Sequence, residues 1–156
     1  MREMEDVFFS FTMGGEALSL AAGKATIEKL RREPVIETLR RQGGKIAEGT
    51  KALIARHHFD AVASVSGDPT WTFLLLKDAP AATAFELKTL LMQELHVRGI
   101  LSLGTHNMSY AHTDADVAKL LGAYDEVFPM LADAAHNGAL KQLLKCDPLV
   151  PLFKVR

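Results

Sequence analysis

Phe11-Thr12-Met13-Gly14-Gly15 sets a hydroxyl and two glycines just ahead of a helical pattern that begins at Glu16. A hydroxyl, flexible backbone and the free N–H groups of a helix start together make a cradle for a phosphate. The same residues also read as an ordinary helix cap at Thr12 followed by turn glycines. The six histidines raise the question of a metal. His57 and His58 are adjacent, so on a helix they point about 100° apart. His106 and His112 would lie roughly 20 Å apart along a strand rising about 3.3 Å per residue. Zinc holds its ligands at about 2 Å, so neither pair serves one ion and no metal site is expected. No G-x-S-x-G is present, and the lone Cys146 sits in a tail with two prolines, so no catalytic nucleophile is assigned. Asp114 and Asp116 read as charges favouring a helix N-terminus. His106 and Asn107 fall in the polar stretch from Gly104 to Ala111, where a loop is placed to touch substrate.

These residues need elements to position them. Residues 7–12, Val-Phe-Phe-Ser-Phe-Thr, are β-prone. Leu18, Ala21, Ala22, Ala25 and Ile27 or Glu28 then line successive turns at helical spacing, and the helix is expected to stop before Pro34. A second helix opens at Pro34, with Ile36, Leu39, Gly43, Ile46, Thr50 and Leu53 on one narrow face. Gly43-Gly44 in its middle implies either close approach of another backbone or a break. Phe59–Ser66 and Thr70–Leu76 read as a hairpin turned by Gly67-Asp68-Pro69. Thr83-Ala-Phe-Glu86 is a capping-box pattern for a third helix buried along Leu87, Leu90, Leu91 and Leu95. Ile100–Leu103 reads as a strand. A second cap, Thr113 to Asp116, opens a fourth helix along Val117, Leu120, Leu121, Tyr124, Val127, Phe128 and Leu131. Pro129 is expected to kink it and Asn137-Gly138 to close it.

The order predicts an α+β fold, a small, mainly antiparallel sheet packed on one side by long helices. The 156 residues are read as one domain, with 1–13 an N-terminal strand or linker and 139–156 an extended tail. Composition bounds the function. Hydrophobic residues make up 48%, and the net charge is −1, without the clustered positive field that nucleic acid needs. No apolar run approaches the 18 or so residues of a membrane span. One cysteine forms no internal disulfide, which fits a reducing, cytoplasmic setting. A secreted disulfide scaffold, a membrane protein and a zinc finger are excluded.

The run Phe9-Ser10-Phe11-Thr12-Met13-Gly14-Gly15-Glu16-Ala17-Leu18-Ser19-Leu20-Ala21-Ala22 resembles the segment opening the C-terminal part of class-III pyridoxal-phosphate aminotransferases, nearest the glutamate-1-semialdehyde 2,1-aminomutase branch. Arg98-Gly99-Ile100-Leu101, followed by Ser109-Tyr110-Ala111-His112-Thr113-Asp114-Ala115-Asp116, is similar to that family's late strand and the start of its last helix. The resemblance runs from about Val7 to the end. It implies the C-terminal small domain of a fold-type I enzyme. It also implies that Thr12, with Gly14 and Gly15, binds the phosphate of pyridoxal phosphate held by the second copy of the subunit.

The family's cofactor lysine lies upstream of this threonine, and the eleven residues before Thr12 contain no lysine. The chain is therefore expected to carry no covalent cofactor, to be inactive alone, and to belong to a dimeric parent acting on a small amino-group donor or acceptor. Three departures bear on the substrate, two of them from the aminomutases proper and the third, the missing arginine, from several class-III aminotransferases. Glu16-Ala17 stands where the aminomutases have Asn-Pro, Gly104-Thr105-His106-Asn107 lacks their carboxylate, and no arginine occurs between Arg98 and Arg156 to grip a substrate carboxylate. The competing readings are a metabolite-binding regulatory module and a dimerisation domain without ligand.

Overall fold

The computed structural model describes residue 12, residues 14–138 and residues 140–150. Of the β-prone stretch 7–12, residues 7–11 lie outside the described residues, and Thr12 lies in a turn. The chain divides into two compact units, Met1–Val35 and Ile36–Arg156.

In the first unit, helix α1 spans Ala17–Arg32. Glu16, rather than Thr12, is its N-cap, and its carboxylate accepts from the Leu18 and Ser19 amides. α1 buries none of its residues, although a one-sided buried stripe was expected. Leu18 lies with the alanines, while Leu20 and Ile27 project from the opposite side, so α1 presents apolar surface on two sides.

The second unit is α+β. Helix α2 (Val35–Arg56) leads to strands β1 (Ala63–Asp68) and β2 (Trp71–Leu76). Helix α3 (Ala84–Val97), strand β3 (Thr105–Asn107), helix α4 (Asp114–Asn137) and the one-turn helix α5 (Leu140–Leu143) follow. The sheet order is β1-β2-β3, antiparallel throughout, with Ser66 opposite Phe73 and Thr72 opposite His106. Thr72 and Leu74 face the core, and Trp71 and Leu75 face out, the period-two signature of a sheet covered on one side.

Phe59, Leu87, Leu90, Leu95, Tyr124, Phe128 and Leu131 form the centre of the core, and the rings of Tyr124 and Phe128 stack at 4.9 Å. Both capping boxes form as read, Thr83 with Glu86 and Thr113 with Asp116. α4 ends on Gly138, and its Pro129 lies on the exposed face while the helix continues through it.

Gly43 resolves the ambiguity in α2, which runs unbroken. A Cβ on Gly43 would lie 1.6 Å from the Pro69 carbonyl oxygen, so the hairpin turn packs directly on the helix backbone. A second contact layer, Ile46 with Met108 and Val117, joins α2 to the start of α4. Lys45 to Asp114 (2.6 Å) and Arg56 to Asp125 (3.1 Å) tie the same two helices, and His57, just past α2, reaches Asp125 at 2.6 Å.

The late strand differs from expectation. Ile100–Leu103 is not a strand, and Leu101 is 85% exposed. Pairing begins instead at Thr105, within the stretch read as irregular. The hairpin also shifts. β1 starts at Ala63, after His58 takes a φ of 51°, and Asp68 pairs with Trp71, which leaves Pro69-Thr70 as the turn. Asp68 Oδ1 closes that turn by accepting from the Thr70 amide and hydroxyl. The tail, read as extended from 139, starts with α5, whose Leu140 is buried.

Candidate functional site

Thr12, Gly14 and Gly15 lie in a turn of the first unit, with Thr12 and Gly15 exposed. The helix amides that a phosphate would use are taken. Glu16 receives Leu18 N at 2.7 Å and Ser19 N at 2.6 Å. Hydrogen bonding from Ser19 and from these amides holds its carboxyl below the usual range, so it stays an anion there. A Cβ on Gly15 would meet nothing within 4 Å among the described residues. These residues offer one hydroxyl and open backbone. By themselves they do not build a complete site for pyridoxal phosphate.

His106 and Asn107 lie together on β3 in the second unit. His106 points inward and is 5% exposed. Its Nδ1 is 2.9 Å from the Thr72 hydroxyl and its Nε2 is 2.7 Å from the Tyr124 hydroxyl. Each hydroxyl donates or accepts as needed, so the neutral ring is satisfied in either tautomer. Burial pushes its pKa from the ordinary 6.5 down to about 4, and burial likewise raises the Tyr124 phenol. A neutral imidazole with both nitrogens occupied has no free atom for a substrate. His106 is a structural element of the sheet. Asn107 alternates to the exposed side.

A cavity of about 410 Å³ lies beside β3, with Thr105 and Asn107 on its wall. Ile46, Met108, Val117 and Leu120 supply apolar lining. Ser102, His112 and Lys119 add polar lining from three separate segments, of which sequence reading weighed only His112, and as a metal ligand. His112 accepts the Ser109 amide at its Nδ1 and orders the turn before α4. Cys146 is exposed, and no cluster of three metal-ligating side chains occurs among the described residues.

No family model matches the chain. Solved structures similar to it include two enzymes that hold pyridoxal phosphate. The FumI protein of Sphingopyxis sp. MTA144, in its pyridoxal-phosphate internal aldimine form, is 26% identical with a TM-score of 0.67, covering 83% of this chain and 31% of that one. A transaminase with pyridoxal phosphate bound is 16% identical with a TM-score of 0.70, covering the same shares, and shows the fold alone. The chain thus has the fold of one part of pyridoxal-phosphate-dependent transaminases, and spans about a third of the length of the structures it matches. No described helix is long and apolar enough to cross a membrane.

Proposed function

We propose that this chain is the C-terminal small domain of a class-III pyridoxal-phosphate-dependent aminotransferase or aminomutase-like enzyme. The observation that carries the reading is the fold shared with the FumI protein over 83% of the chain at 26% identity. The paired sequence motifs around Thr12 and His112 support it independently. So does α1, whose Leu18 (76% exposed), Leu20 (59%) and Ile27 (53%) project from opposite sides, a pattern suited to burial by further protein.

Bound pyridoxal phosphate supplies an electron sink for amino-group chemistry. In this reading the lysine that holds it belongs to polypeptide preceding Thr12, and the chain alone has no turnover. Thr12 donates its hydroxyl to the phosphate held by a second copy of the subunit. The amides near Gly14 and Gly15 assist, since Glu16 occupies those of the helix. The substrate is a small amino-group donor or acceptor, the setting cytoplasmic, and neither nucleic acid nor membrane takes part.

The test is cofactor affinity in the full-length enzyme. A hydroxyl-to-phosphate hydrogen bond is worth roughly 1.5–3 kcal/mol. Thr12→Ala is expected to weaken cofactor binding about ten- to a hundredfold in equilibrium dialysis, and Thr12→Ser much less. Equal losses would remove Thr12 from the phosphate site. A second reading, a metabolite-binding module without catalysis, is favoured by one observation, the cavity beside β3.

A further inference from the structure

We propose that the cavity along the free edge of β3 binds a free amino acid with an apolar side chain. The inference stands apart from the pyridoxal-phosphate reading and uses only residues of the second unit.

The register sets the chemistry. Met108 N donates to Thr70 O at 3.0 Å, and Leu74 N donates to Gly104 O at 2.7 Å. Antiparallel ladders alternate bonded and non-bonded pairs, so Thr72 and His106 form the bonded pair between these two. Thr105 and Asn107 therefore turn their N–H and C=O away from β2, toward the edge that lines the cavity. No described residue pairs with that edge. An unpaired N–H and C=O on one residue match the carboxylate and ammonium of an amino acid lying alongside, as strand edges take up peptides.

The rest of the cavity agrees in sign and polarity. Lys119 lines it, and its ammonium, 3.3 Å from Gly99 O, keeps further donors for a carboxylate. Asp116, the one acid on the wall, is engaged by the Thr113 amide and hydroxyl at 2.8 and 2.7 Å. Ile46, Val117 and Leu120 offer the apolar surface for a side chain. At about 410 Å³ the space falls in the range of about 300–1,000 Å³ typical of small-molecule sites.

Calorimetric titration of the full chain, with no cofactor added, tests this. The probes are L-leucine, L-methionine and L-phenylalanine, plus two leucine analogues, 3-methylbutylamine without the carboxylate and 4-methylpentanoate without the amine. Saturable one-to-one binding of at least one amino acid is expected. Both analogues are expected to bind at least about tenfold more weakly than leucine, since each forfeits a charge-assisted hydrogen bond. Lys119→Ala, on the exposed face of α4 where alanine keeps the helix, is expected to weaken the amino acid by about tenfold or more. Absence of saturable binding, an analogue equal to leucine, or a Lys119→Ala protein equal to the parent would each overturn the proposal. None of these outcomes bears on Thr12, and the Thr12 dialysis does not bear on this cavity.

Discussion

His106 is wedged between two hydroxyls in the core, and its proton chemistry acts on folding. Its folded pKa of about 4 lies below the ordinary 6.5 of an unfolded chain. The unfolded state therefore takes up a proton first as pH falls. The stability tied to this group is fully present above about 6.5, is lost down to about 4, and levels off below, a change on the order of 3 kcal/mol. Urea unfolding across this range should show that loss in the parent and lack it in His106→Gln. Tyr124→Phe leaves Nε2 buried without its partner and should cost about 1–3 kcal/mol at pH 7. The sequence marked His106 and Asn107 as polar loop residues. It missed that His106 faces the core, because its partners, Thr72 and Tyr124, lie 34 and 18 residues away. A polar residue satisfied by distant partners leaves no local hydrophobic signal.

At the scale of elements, adjacent glycines of α2 have opposite roles. Alanine at Gly44 meets open space and should stabilise by up to about 1 kcal/mol through helix propensity. Alanine at Gly43 collides with the Pro69 carbonyl and should destabilise by about 1–3 kcal/mol or more despite the same propensity gain. Thermal unfolding of the two variants should give shifts of opposite sign, and two upward shifts would mean the turn does not pack on Gly43. Helices were legible where local chemistry specifies them, as at the Thr83 and Thr113 capping boxes. The late strand was not. Ile100–Leu103 has the stronger β propensity, yet the register with β2 is set by pairing of Thr72 with His106 and of Phe73 with Thr105. Such pairing is non-local, and β propensity yields to it.

At the scale of the whole molecule, the small antiparallel sheet under helices was legible from the grouping of strands among amphipathic helices. The exposure of α1 was not, because periodicity records that a helix has apolar residues and not what covers them. The matched structures are each covered to 31%, and the proposal that this chain is part of a longer enzyme is tested on the natural polypeptide. The direct measurement is borohydride reduction of the natural polypeptide that contains this chain, followed by peptide mapping of the phosphopyridoxyl group. The expected result is one modified lysine in sequence preceding Thr12, in a protein well above 17.1 kDa. A natural polypeptide of 17.1 kDa with no mark, or a mark on a lysine within these 156 residues, would contradict the assignment.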